Sequence, residues 1–244
     1  MITSTTVAAQ TLTLATSHVL NEIEPDFDME ILMTKARCAG LRAKDIFRHL
    51  VREAQQVARP KAAVTACLVK RLSETETKLD QVVFSSELLA DNLDGLGCAF
   101  AYVATEGEEL ARWSDSLAGS GRAFAWPIRY AALKLAEKAL VRFLKSAFAL
   151  GELSCMNPGP LDHWPVKEQM PLFRLLGGLP EAIGIKIKPT CWMSPDLSSS
   201  GVFFEAETKF YNCQLCTLEP CEHRRTAYQG LEGWPKPRRM RQAS

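Results

Sequence analysis

Between Trp126 and Leu150 the sequence WPIRYAALKLAEKALVRFLKSAFAL is apolar almost all round, except for one stripe in which Lys134, Lys138, Arg142 and Lys145 share a face. A helix of this kind has too much apolar surface to stand in water and must lie against a sheet or against other helices. Pro127 fits the first turn of such a helix, and Gly151 falls just past its end. A second segment sharpens the constraint. Leu96 to Ala104, the run LGCAFAYVA, is short, apolar and bounded by turn residues, which is the pattern of a buried strand.

The remaining segments alternate between helices and strands without a strict βαβ order. Asp28 to Gly40 and Lys44 to Arg59 carry helical spacing, with Gly40 and Pro60 as stops. Thr65 to Leu72 and Gln81 to Phe84 read as strands, Ser86 to Leu93 as a short helix capped by its serine, and Glu106 to Leu117 as a helix. After Gly151 come a short helix at about Val166 to Leu176, a strand at Ala182 to Pro189, and an antiparallel partner at Gly201 to Tyr211. The turn between those two strands spans Ser194 to Gly201. The expected fold class is therefore α+β, with a mainly antiparallel, twisted sheet flanked by helices. Residues 1–27 form an unassigned arm, either frayed or an added helix. The main domain is expected over 28–211, a cysteine-rich motif over 212–226, and a basic, mobile tail over 227–244.

Composition narrows the function classes. With 47% hydrophobic and 23% charged residues over 244 positions, the chain has enough apolar content to fold without a staple. The net charge of +1 selects no partner, although Glu222 to Ser244 holds six Lys/Arg against two Glu. No apolar run approaches the roughly 20 residues of a membrane helix. The first fifteen residues lack the basic and apolar parts of a secretory signal, so a cytoplasmic location and no membrane partner are expected. Of eight cysteines, Cys38, Cys67, Cys98, Cys155 and Cys191 are scattered, whereas Cys213, Cys216 and Cys221 are clustered. Thiolates at that spacing can converge on one zinc ion or iron-sulfur cluster, with Cys191 or Cys155 as a fourth ligand or with a position left open. A nucleic-acid-binding zinc knuckle would need a ligand where Thr226 stands, so no nucleic-acid partner is expected. Asp162-His163 has no catalytic partner at motif spacing, and Ser198-Ser-Ser200 suits a tight turn.

The stretch Met156-Asn-Pro-Gly-Pro-Leu-Asp-His-Trp-Pro165, with Glu168-Gln169 and Leu172 to Gly177 after it, resembles the loop and helix of the reactivation domain of cobalamin-dependent methionine synthase. Ile185 to Pro195, Ser198 to Phe204 and Lys209 to Tyr211 resemble that family's following strand, turn and returning strand; Gly97 to Gly107 and the Trp126 helix resemble the strand and long helix of stand-alone relatives. The resemblance implies a C-shaped antiparallel sheet that presents S-adenosylmethionine to a cobalamin held by a partner's cobalamin-binding module, with a low-potential electron donor supplying the reductant. It implies Asn157, Pro158, Gly159 and Glu137 as S-adenosylmethionine-binding residues. Cys155 stands where the family has an arginine, and Pro160 where it has a tyrosine. Losing that charged carboxylate clamp is expected to weaken S-adenosylmethionine binding about ten- to a hundredfold. No Asp-x-His-x-x-Gly corrinoid-ligand motif occurs, so cobalamin would arrive with the partner.

Overall fold

A computed structural model of the chain describes residues 16–161, 163–207, 209–221 and 224–230. In chain order the elements begin with strand β1 (Ser17–Leu20), helices α1 (Met29–Lys35) and α2 (Leu41–Val57), strands β2 (Lys61–Arg71), β3 (Glu76–Leu79) and β4 (Val82–Ser85), and helix α3 (Glu87–Asn92). Then come β5 (Cys98–Thr105), α4 (Glu108–Ser116), the long α5 (Ser120–Ala147), β6 (Leu153–Met156) and the hairpin β7 (Pro160–Leu161) and β8 (Trp164–Pro165). The last elements are α6 (Gln169–Leu176), α7 (Leu179–Ala182), β9 (Lys186–Ile187), β10 (Met193–Ser194) and β11 (Ser198–Glu205).

The main sheet runs β4-β3-β2-β5-β11-β6, with β1 added along β2, and every pairing in it is antiparallel. The α+β expectation is met. The sheet is covered on both faces, which explains why β5 reads as an unbroken apolar run rather than an alternating one. Ala99, Ala101 and Val103 face one core with Trp164, Leu172 and Phe204. Their neighbours Phe100, Tyr102 and Ala104 face the other, against Leu133, Ala136, Leu140 and Leu144 of α5. A third core joins α1, α2, α4 and the start of α5 through Phe47, Val51, Leu110 and Ile128. Helix starts follow their side chains: Asp28 accepts from Ile31 N at 3.0 Å, and Ser86 Oγ accepts from Leu89 N at 3.0 Å.

Several expectations are corrected. The arm 1–27 is not wholly irregular, because Ser17–Leu20 pairs with Thr65–Ala62 as β1; residues 1–15 lie outside the described part. Helix α5 starts at Ser120, so Pro127 lies inside it instead of opening it. Tertiary packing carries the helix through the proline, as Phe124 meets Phe47 with ring centroids 5.5 Å apart. Glu106 precedes its helix and is fully buried.

The largest difference concerns the last strand. Only Lys186–Ile187 of the expected 182–189 strand pairs, and its partner is Met193–Ser194. The long strand β11 begins at Ser198 and inserts between β5 and β6. The three serines read as a turn because their hydroxyls compete for backbone groups, yet here those hydroxyls are satisfied across the sheet. Ser198 Oγ bonds Thr105 Oγ1 at 3.0 Å, Ser199 Oγ bonds Tyr102 Oη at 3.0 Å, and Ser200 Oγ accepts from Gln169 Nε2 at 3.2 Å.

Candidate functional site

Beyond β11 the chain turns back along β6: Ala206 N donates to Glu152 O at 3.0 Å, Phe210 N donates to Ser154 Oγ at 2.7 Å, and Tyr211 bridges Cys155. This return places the cysteine-rich segment beside one face of α5. Between them lies a groove made of two adjoining cavities of about 520 and about 450 Å³. They share Tyr130, Val141, Cys155, Asn157, Phe203 and Arg225. A space of this size fits a cofactor-sized molecule.

The floor is a neutral hydrogen-bonded layer. Tyr102 Oη contacts Cys155 Sγ at 3.3 Å and accepts from Asn157 Nδ2 at 2.7 Å, while the same Nδ2 donates to Ser200 O at 2.7 Å. Burial, reinforced by the charge that Cys155 and Glu137 would place nearby, holds the Tyr102 phenol well above its ordinary value. Burial likewise pushes the Cys155 thiol up to about 12 against the lowering hydrogen bond from Tyr102. Cys155 is therefore a neutral thiol at physiological pH, unsuited to nucleophilic chemistry. The layer is possible because residue 201 is glycine: a Cβ there would sit 2.2 Å from Met156 O and 2.7 Å from Asn157 Nδ2.

The wall is charged. Successive turns of α5 present Tyr130, Lys134, Glu137, Lys138 and Val141, and Lys35, Arg224 and Arg225 complete the rim. Glu137 is paired with Lys134 and, at 3.7 Å, with Arg225. Lys134 and Lys35 lie 5.1 and 5.8 Å from the Tyr130 ring centroid, and Trp126 stacks on that ring at 5.1 Å.

Of the residues expected to bind S-adenosylmethionine, Glu137 and Asn157 line this one groove although they lie on different elements. Pro158 is buried, and Gly159 turns the chain with a φ of 141° into the β7–β8 hairpin, its N–H donating to Trp164 O at 3.0 Å. Neither lines the groove cavities. Glu168 and Gln169 hold the layer below, the former accepting from Ser85 N at 3.1 Å. His163 contributes its carbonyl to Ser86 Oγ at 2.6 Å.

The expected metal centre rests on Cys213, Cys216 and Cys221, with Cys191 or Cys155 as a fourth ligand. Among the described residues no three His, Cys, Asp or Glu side chains are placed to hold a metal ion. Leu215 is buried and Cys216 packs against the sheet core, whereas Cys213 lines the groove and its Sγ accepts from Arg225 N at 3.5 Å. The Arg224 guanidinium closes the loop by donating to Cys213 O, Cys216 O and Leu218 O at 3.1, 3.2 and 2.7 Å. Gln229 N then returns to Gln214 O at 2.7 Å, so the first residues of the expected tail are tied down. The proposed fourth ligands are elsewhere in role: Cys191 is at the tip between β9 and β10, and Cys155 is in the groove floor. Glu222, His223 and residues 231–244 lie outside the described part.

Among the groove residues that local sequence does not signal are Tyr102, inside a buried strand, Tyr130, inside an apolar helix, and Arg225, in a basic run with nothing local to show that the chain returns over α5.

These features define an α+β domain whose antiparallel sheet and long helix enclose a cofactor-sized groove. No family model and no curated protein matches the chain. Among solved structures, the crystal structure of the MetH reactivation domain bound to AdoHcy matches with a TM-score of 0.61 over 80% of this chain and 80% of that one, at 13% identity. The chain has the fold of that reactivation domain; at such identity the likeness is one of fold.

Proposed function

We propose that this chain acts in the reductive reactivation of a cobalamin-dependent methyltransferase, methionine synthase being the leading candidate, with S-adenosylmethionine as methyl donor in the α5 groove. The supporting observation is that Glu137 and Asn157, singled out by the resemblance, line one groove on a fold shared with a domain solved with AdoHcy. In this reading a low-potential donor gives one electron to cob(II)alamin on the partner. The resulting cob(I)alamin takes the methyl group from the sulfonium, leaving methylcob(III)alamin and S-adenosylhomocysteine. The chain's own part is to orient the donor. The neutral Tyr102–Asn157 layer supplies a floor that adds no competing anion, and Glu137 offers an acceptor for the donor's ammonium group.

The test is to mix the chain with a cob(II)alamin-loaded methyltransferase, a low-potential reductant and S-adenosylmethionine, and to follow the visible spectrum. Conversion to methylcobalamin is expected. An unchanged spectrum beside a working positive control sinks the proposal. A second reading, docking onto a corrinoid protein without catalysis, is favoured by Cys155 standing where the family carries its clamp arginine; it predicts partner binding with no methylation. That second reading carries a metal staple at Cys213, Cys216 and Cys221, which metal analysis of the purified chain tests.

A further inference from the structure

The groove carries an unbalanced charge. Lys35, Lys134, Lys138, Arg224 and Arg225 line its larger cavity against a single lining carboxylate, Glu137, with Arg224 also meeting Glu219 at 3.6 Å outside that lining. Among the described residues, Lys35 and Lys138 have no carboxylate partner. The floor does not redress the balance, since its thiol and phenol are both neutral. A concave, partly desolvated space with this excess of positive charge favours an anion.

We infer that the groove is a binding site for a small molecule bearing a carboxylate or phosphate group, and that Arg225, carried in by the segment after the sheet, is the cation that closes on it. The segment is built to hold Arg225 in place. Arg224 pins the loop through three carbonyls, Gln214 and Gln229 tie its ends, and the Arg225 N–H rests on Cys213 Sγ. The Arg225 backbone is thereby fixed, while its side chain is 49% exposed and, among the described residues, meets one carboxylate, Glu137 at 3.7 Å. A ligand anion able to engage the guanidinium through two oxygens offers better geometry than that contact. Arg225 would then do from the chain's distal segment what Cys155 cannot do from the loop. The site stands on the charge and geometry of the groove, so it does not require the methyl donor proposed above.

Isothermal titration calorimetry on the full chain and on Arg225→Ala and Arg225→Lys tests this, with inorganic pyrophosphate and S-adenosylhomocysteine as separate probes. Circular dichroism checks that the variants fold. For each probe that binds, Arg225→Ala should weaken affinity about ten- to a hundredfold, with part of the loss recovered in Arg225→Lys. S-adenosylhomocysteine behaving so supports both this site and the proposed function. Pyrophosphate behaving so while S-adenosylhomocysteine does not bind supports this site and removes the proposed methyl donor. Either probe binding equally to the parent chain and to Arg225→Ala overturns the inference, even where S-adenosylhomocysteine binding leaves the proposed function standing. Binding of neither probe also overturns it and leaves the basic face for an acidic macromolecular partner.

Discussion

Helix α5 carries two glutamate–arginine pairs, and they are built for different tasks. Near its start, Arg129 reaches Glu106 with two donors, Nε at 2.8 Å and Nη2, and also engages Asp196. The Glu106 side chain is 0% exposed and that of Arg129 12%. Midway along, Glu137 at 18% exposure meets Arg225 at 49% through a single 3.7 Å contact, with Lys134 as a second cation. The first pair has traded its water for fixed geometry and locks β5, α5 and the loop before β11 together. The second stays partly hydrated and makes one long contact, which suits the ligand exchange proposed for the groove. Identical chemistry thus suits structure or the proposed binding according to burial and denticity.

The strongest way to break this contrast is Arg129→Met. Above pH 7, where Glu106 is ionised, it strands the carboxylate in the core, and a loss of about 3–5 kcal/mol is expected by urea denaturation. A loss under about 1 kcal/mol would put the two pairs in one class. Next in size is the pH dependence. Burial pushes Glu106 up to about 7 from 4.5, overriding the lowering effect of Arg129. The folded chain then holds more protons than the unfolded one between those values, so Glu106's contribution to stability falls as pH rises from about 4.5 to about 7 and levels off above. Denaturation midpoints for the parent chain and Glu106→Gln across that range check it, because the glutamine variant should lack this component.

Smaller still is the expected effect of Arg224→Met. It removes three carbonyl contacts from an exposed segment, so hydrogen exchange should rise across 213–230 while global stability drops by about 1 kcal/mol or less. Persisting protection there would mean that the segment is held by something other than Arg224. The smallest change is expected for Arg225→Ala. An exposed, monodentate pair contributes about 0–1 kcal/mol, and thermal denaturation should barely move. A large loss would show that Arg225 is a structural residue like Arg129.

Local pattern carried much of the fold. The apolar run of β5, the Ser86 cap, the spacing of α2 and the break after α5 are all decided within a few residues, by side-chain period and by competition for the first backbone N–H groups. Where the reading failed, distant contacts had overruled local preference. Pro127 sits within a helix because Phe124 and Ile128 have partners on the other side of the third core. Ser198 to Ser200 form a strand because Thr105, Tyr102 and Gln169 receive their hydroxyls.

The candidate site divides in the same way. The ordered motifs from Met156 to Tyr211 pointed to the fold, and the stripe on α5 that holds Lys134 and Lys138 was legible. That Asn157 and Glu137 share a groove is a fact of sheet register and helix docking, and it depends on Gly201 leaving room for the asparagine. The cysteine spacing suggested convergence on a metal, but spacing alone cannot say which way thiols turn. Among the described residues, Cys213 lines the groove while Cys216 packs against the sheet core, a placement set by tertiary packing. The sequence by itself determined the fold class, because side-chain period and caps act over a few residues. Only the tertiary structure brought Arg225 onto the groove, because electrostatic partnership depends on distance in space and is blind to distance along the chain.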